Sequence, residues 1–330
     1  MVNNRTIQNM KIIFYSFLIV LLIAGCNQGK RIKIGDDKPN NEARLIVTNS
    51  DALEMLIGLG AAENVVGIND TKLQSFVAPL QTWPIIGHWR NPNIEAITNL
   101  NPDIVVAYKR YPDSLSFDVK LRPFNISVER MDCYRMSEYH SDVSRLASFV
   151  GKENEADTII NDFNKIIDII KSTVADIDVK RRVYFEFSDF TAMGQGTGSH
   201  EILEMANATN IAFDLKVQYP KISTEWLLEE NPDIIIKTIT ADTITTEMYD
   251  RIVTRAGWDK LDAVKNKKVF LISSELCSGP RAMIGSLYIG KWCYPEKFAS
   301  TNPDSIHSHW MKKYYGVTTA HNKYIFTPKI

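Results

Sequence analysis

The 330-residue sequence predicts an α/β protein of two similar lobes, with mainly parallel sheets, joined by one long helix. Short β-rich runs alternate with segments of helical apolar spacing, the pattern of parallel strands covered by helices on both faces. The stretch "NLNPDIVVAYK" at residues 99–109 returns, slightly altered, as "EENPDIIIKTI" at residues 229–239. A glutamate stands eight positions before the Asp each time, Glu95 before Asp103 and Glu225 before Asp233. Between the copies, Glu153 to Ile177 contains no Pro or Gly, and Ile159, Phe163, Ile166, Ile167 and Ile170 recur at helical spacing.

At the start of the chain, Arg5 and Lys11 precede an apolar run from Ile12 to Ala24, the length of a signal-peptide core and short for a spanning helix. The run ends on Leu22-Ile23-Ala24-Gly25-Cys26, which resembles a bacterial lipobox. Residues 1–25 are therefore expected to be a lipoprotein signal peptide and Cys26 the lipidated residue, leaving a protein anchored outside the cytoplasm. Residues 26–43 are polar and turn-rich and read as a flexible tether.

An N-terminal lobe is expected over 44–140. There "RLIVTN" is a strand, "SDALEMLIGLGA" a helix with Asp51 available as cap and Gly60 as stop, and "VVGI" the next strand. "NPNIEAITNLNP" is a short helix closed by Pro102, and "DIVVAY" a buried strand. Residues 141–178 form the linking helix region. The C-terminal lobe, 179–330, repeats the plan: strand "RVYFEFSD", loop "GQGTGS", helix "HEILEMANAT", short helix "STEWLLEENP" and strand "DIIIKTI". "GPRAMIGSLYIGKWCYPEKF" is a helix with an apolar side, and a tyrosine-rich tail follows to pack on it.

Composition excludes several function classes. Hydrophobic residues make up 45% and charged ones 23%, a globular balance. Lys plus Arg number 38 against 39 acidic residues, so no global positive field exists to hold nucleic acid or an anionic membrane; the lipid anchor alone would meet the membrane. Cys133, Cys277 and Cys293 show no C-x-x-C spacing and read as buried thiols. "GQGTGS" lacks the Gly-Lys-Ser/Thr of a P-loop and the last glycine of a dinucleotide fingerprint, so no nucleotide cofactor is expected and Ser199 reads as a helix cap. Its amides remain able to face an anionic group in a cleft. His307 and His309 are the one close histidine pair, expected on the surface and not as metal ligands. No nucleophile motif is present. Glu186 and Asp189, three residues apart on a predicted strand, should point to opposite faces, which argues against a joint acid–base role in an extracytoplasmic hydrolase.

Ligands in parallel α/β architectures bind beyond the carboxyl ends of the strands. That rule selects Asn49 and Ser50, Trp89 and Arg90, Tyr108 with Lys109 and Arg110, Ser188 and Asp189, Tyr219, and the "SSELCSGPR" loop with Arg281. The set is aromatic and basic, suited to a large, flat or chelate-like anion.

At these residues the chain resembles the solute-binding proteins of ABC importers for iron-siderophores, heme and vitamin B12. The resemblance runs from about Arg44 to Phe298 through "SDALEMLIGLGAAENVVGI", "IGHWRNPNIEAITNLNPDIVVAY", "STEWLLEENPDIII" and "WDKLDAVKNKKVFLI". It implies two Rossmann-like lobes joined by a long helix, a ligand cleft between them, and no chemistry of the protein's own. It further implies an ABC permease and its ATPase as partners, with Glu95 and Glu225 docking onto arginines of the permease. An iron(III)-siderophore complex is the first expectation for the ligand, a corrinoid or heme the second. Trp89, Tyr108 and Tyr219 would form the platform, with Arg90, Lys109, Arg110 and Arg281 neutralising charge. The protein is expected to act as a monomer.

Overall fold

The computed structural model describes residues 43–71, 82–318 and 321–328; the expected signal peptide, Cys26 and nearly all of the tether lie outside them. The first lobe comprises β1 (Leu45–Val47), α1 (Ser50–Gly58), β2 (Val65–Ile68), β3 (Gly87–His88), β4 (Asn91–Pro92), α2 (Ile94–Asn99), β5 (Ile104–Ala107), α3 (Ser114–Leu121) and β6 (Ser127–Arg130). Its main sheet has the order β2-β1-β5-β6 and is parallel throughout, while β3 and β4 form a small antiparallel hairpin. Every residue of β1 and β5 is buried, as unbroken apolar runs in a covered parallel sheet require.

Asn49, not Asp51, caps α1. Its Oδ1 accepts from the amides of Asp51 and Ala52, and its Nδ2 donates to the carbonyls of Met131 and Asp132, tying the helix start to the end of β6. Asp51 thereby falls in the first turn, its carboxyl hydrogen-bonded by the Tyr108 hydroxyl.

Two helices connect the lobes. The chain runs through α4 (Tyr139–Val150), turns at Gly151 and continues as α5 (Glu153–Val174). One stripe of α5 is buried, from Ala156 through Ile159, Phe163, Ile166, Ile167 and Ile170 to Val174. The expected long helix is present and ends slightly before Ile177.

The second lobe comprises β7 (Arg182–Glu186), α6 (Gly198–Met205), β8 (Thr209–Asn210), α7 (Thr224–Glu230), β9 (Ile234–Ile239), α8 (Thr246–Val253), α9 (Asp262–Lys265), β10 (Val269–Ser273), α10 (Ala282–Cys293), α11 (Pro303–Tyr315), α12 (His321–Tyr324) and β11 (Ile325–Phe326). Its sheet has the order β11-β10-β9-β7-β8, parallel except for β11.

The repeated Asn-Pro-Asp has one physical explanation in both lobes. Asn101 and Asn231 take left-handed conformations, φ 46° and 37°, that end α2 and α7. Asp103 then accepts from the backbone amide of Arg44 at 2.8 Å, and Asp233 from that of Arg182 at 2.7 Å. Arg44 directly precedes β1 and Arg182 opens β7, and each turns its guanidinium onto carbonyls at the end of the short helix, Leu100 and Asn101 for Arg44 and Glu230 for Arg182. The motif therefore clamps a helix end to a strand start, twice.

One apolar core runs through both lobes, drawing on α1, α4, α5, α10 and α11. Helix α10 is buried on almost every side, and its Gly285 faces the backbone so closely that a Cβ there would lie 1.9 Å from the Leu276 carbonyl oxygen. The C-terminal segment does not stay in the second lobe: the ring of Tyr315 on α11 reaches Gly58 of α1, and Lys313 and Tyr314 bind Asp162 of α5. His307 is 2% exposed, against the expectation of a surface position, because α11 turns that face inward and sets the imidazole edge-on to Tyr324 at 4.6 Å. Burial, and then Arg281, push its pKa down to about 3. Cys133, Cys277 and Cys293 are buried free thiols.

Candidate ligand-binding cleft

A cavity of about 370 Å³ opens between the lobes at the carboxyl ends of the strands. The first lobe contributes Asp51 from α1, Trp89 from the β3–β4 hairpin, Tyr108, Arg110 and Tyr111 after β5, and Asp132 and Tyr134 after β6. From the second lobe come Phe187 after β7, the start of α6 at Thr197–Ser199, Tyr219, Thr238 on β9, and Ser274, Cys277 and Ser278 after β10.

Aromatic rings dominate the walls. Trp89 meets Tyr108 and Tyr111 edge-on, each with centroids 5.4 Å apart, and across the cleft Phe187 lies 5.6 Å from Tyr219. Such rings give broad apolar contact with a polar tip at each tyrosine. Burial, followed by the charge of Asp51, drives the Tyr108 hydroxyl far above its ordinary pKa, so it stays a donor.

Of the seven expected ligand contacts, four line the cavity: Trp89, Tyr108, Arg110 and Tyr219. Arg90 sits behind the wall, its guanidinium stacked over Trp89 at 4.6 Å and Tyr111 at 4.9 Å, where it braces the aromatic cluster. Lys109 turns away to Glu138 at 2.6 Å, with Asp132 at 3.8 Å. Arg281 is wholly buried and does not line the cavity. Its Nε and Nη2 bind the Glu54 carboxylate of the other lobe at 2.6 and 3.1 Å, and Nη2 also binds Glu275 at 3.1 Å. It is an inter-lobe tie beneath the cleft, not a ligand cation, because α1 presents a glutamate on the very face against which α10 starts.

Two further contacts close the floor. The Gly279 amide donates to the Tyr134 carbonyl at 2.9 Å, and Glu201 of α6 accepts from Arg135 and from the Ser137 amide. The expected cap at Ser199 is Thr197 instead, whose Oγ1 accepts from the His200 amide, while the Ser199 hydroxyl donates to the Cys277 carbonyl. The start of α6 does face the cavity.

Charge in the cleft differs from the basic lining that strand ends suggested. Arg110 is the one cationic lining side chain among the described residues, against the carboxyls of Asp51 and Asp132. Burial, and then the neighbouring Glu54, push Asp51 up to about 7.

Glu186 and Asp189 do not diverge. The strand ends at Glu186 and a turn brings Asp189 back, so Lys237 and Arg255 bind both, at 3.1 and 3.0 Å and at 2.8 and 2.7 Å. The side chains of Ser188 and Asp189 serve this turn, and Phe187 takes the lining position. Asp51, Tyr111, Tyr134 and Phe187 escaped the sequence reading; the signal for Phe187 was its place directly after the last buried residue of β7.

Glu95 and Glu225 stand in the first turns of α2 and α7, capped by Asn93 and Ser223, and both are exposed. From Asn91 to Leu100 and from Lys221 to Glu230 the sequence of buried, half-buried and exposed positions is the same. The two glutamates therefore hold equivalent places on the two lobes.

Residues 45–276 match the family described as periplasmic binding protein. The ABC transporter substrate-binding lipoprotein YvrC of Bacillus subtilis is 26% identical over 283 residues, covering 82% of this chain and 84% of that one. The molybdate-binding protein MolA of Haemophilus influenzae is 22% identical over 309 residues, covering 84% and 87%. The vitamin B12-binding protein of Pectobacterium carotovorum is 23% identical over 197 residues, covering 58% and 70%. Among solved structures, a TroA-like periplasmic binding protein, FepB from Veillonella parvula, superposes with a TM-score of 0.76 at 19% identity, covering 89% of this chain and 96% of that one. The chain belongs to the periplasmic binding protein family.

Proposed function

We propose that the cleft holds a flat, weakly charged ligand of corrinoid type, which the protein, anchored by lipid at Cys26, delivers to an ABC permease. The carrying observation is the pairing of an aromatic wall from both lobes, Trp89, Tyr108, Tyr111, Tyr134, Phe187 and Tyr219, with a lining that contains one cation and two carboxyls. A ferric tris-catecholate, the most strongly anionic form of the ferric siderophore first expected from sequence, calls for several cations at the ligand. Arg281 and Lys109 are engaged by Glu54, Glu275 and Glu138 instead. A bare oxyanion such as molybdate meets the same difficulty. The vitamin B12-binding relative supports the corrinoid reading.

Glu95 and Glu225 are the proposed permease contacts, one from each lobe. Their equal helix positions and exposure support a two-point dock that arginines of a permease would complete.

Tryptophan fluorescence of the full chain in detergent micelles tests the ligand. Cyanocobalamin, hemin and a ferric tris-catecholate are titrated in parallel, with Trp89→Ala as control. Saturable quenching by cyanocobalamin is expected, weakened about tenfold to a hundredfold by the substitution. Saturation by the ferric complex alone would return the reading to siderophores.

A further inference from the structure

Asp51 is a carboxyl at a cavity wall that makes no ion pair among the described residues. It projects from the first turn of α1 into the angle between the lobes. On one side the backbone of the second lobe closes in: Gly279 holds φ +75°, and a Cβ there would lie 2.4 Å from Asp51 Oδ1. On another side the Tyr108 hydroxyl donates a hydrogen bond to it. The remaining charged or titratable groups around it are Glu54, Asp132, the Cys133 thiol and Arg281. Arg281 is the cation of this group, and Glu54 and Glu275 hold it. Asp132 differs, since Lys109 serves it through both its amide and its ammonium.

A carboxyl in a partly dry wall is costly unless something donates to it. Tyr108 supplies one donor, and the carboxyl's remaining acceptor capacity opens on the cavity, where a ligand donor meets it. We propose that Asp51 is the specificity-determining residue of the cleft: it accepts an N–H from a carboxamide on a neutral ligand and excludes ligands that present an oxyanion there. The inference rests on the corrinoid reading for the identity of the ligand, since a corrin ring is fringed with carboxamides. A carboxyl and a carboxamide are complementary in either protonation state: the ionised form accepts the amide N–H, and the protonated form adds a bond from its O–H to the amide carbonyl. An oxyanion at the same point faces a like charge once Asp51 is ionised, above about pH 7, so the comparison below is made at pH 8.

The test uses cyanocobalamin and its peripheral monocarboxylates, in each of which one carboxamide is hydrolysed to an acid, against the full chain and its Asp51→Asn and Asp51→Ser variants. One monocarboxylate isomer is expected to bind the unaltered protein about tenfold or more weakly than cyanocobalamin, and Asp51→Asn to remove most of that gap. Equal binding of every isomer to both proteins overturns the role of Asp51 while the corrinoid reading stands. If cyanocobalamin fails to bind and molybdate or a ferric tris-catecholate binds instead, the corrinoid reading falls. The role of Asp51 then requires Asp51→Asn to tighten that anion about tenfold, and an unchanged affinity overturns it. A ligand-free measurement decides when no probe binds or a variant misfolds: carboxyl ¹³C NMR of the unaltered chain, with the Asp51 resonance assigned in whichever variant folds. A carboxyl that titrates near neutrality supports a buried group with no cationic partner at the cavity wall, and one that titrates in the ordinary aspartate range overturns it.

Discussion

At single residues, the least expected finding is that cations at strand ends serve the protein's own carboxylates. Arg281 and Glu54 illustrate the energetics. Removing one charge of a buried pair strands the other, at about 3–5 kcal/mol. Glu54→Gln is therefore expected to lower unfolding stability in urea by that amount, and Glu54→Leu combined with Arg281→Met to restore most of it. Two titrating groups act in opposite senses. The pKa of His307 is depressed in the fold, so its contribution is present above the ordinary histidine value near 6.5 and lost as pH falls toward 3. Urea unfolding at pH 7 and pH 4 should show a smaller loss for His307→Gln than for the unaltered chain. Asp51 is raised in the fold, from 3.8 to about 7, so its contribution is full below 3.8 and lost as pH rises through 7. Asp51→Asn should accordingly raise the thermal midpoint at pH 8 and not at pH 3.5. Strand-end position picked out Trp89, Tyr108, Arg110 and Tyr219, which line the cavity, yet could not separate them from Arg281, because pairing with Glu54 crosses 227 positions of sequence.

Among elements, α5 and the two Asn-Pro-Asp units were legible because their signals are local. A stripe at helical spacing without Pro or Gly specifies a helix, and Asn-Pro ends one. Caps were less legible where several polar residues compete: Asn49 displaces Asp51, and Thr197 displaces Ser199, since the winner also bonds elsewhere or fits the turn. The packing of α10 was beyond local reading. Its Gly285 allows the helix to touch the Leu276 carbonyl, and Leu276 belongs to the loop that carries Ser274, Cys277 and Ser278 into the cleft. Gly285→Ala is expected to destabilise the protein by about 3 kcal/mol in thermal unfolding and to weaken ligand quenching with it, since the loop must shift to admit the methyl.

For the whole molecule, the shared core, the Arg281–Glu54 tie and the return of α11 onto α1 join the lobes on three counts. Wide opening would expose apolar surface and a buried ion pair together, so ligand capture should proceed with modest closure. X-ray scattering with and without ligand is expected to show nearly unchanged radii of gyration; a large compaction would contradict it. Docking belongs to the same scale. Glu95→Ala and Glu225→Ala together should leave ligand affinity as it was and abolish delivery to the permease in reconstituted vesicles, each alone doing so in part.

Periodicity and turn chemistry by themselves determined the two α/β lobes, the linking helix and the duplicated helix–strand clamp, because each depends on residues within a few positions of one another. Only the tertiary structure decided which polar groups face the cavity. Burial and pairing join residues far apart in the chain: Glu54 takes Arg281 out of the cleft, Glu138 takes Lys109, and Asp51, with no cationic partner among the described residues, is left facing the cavity.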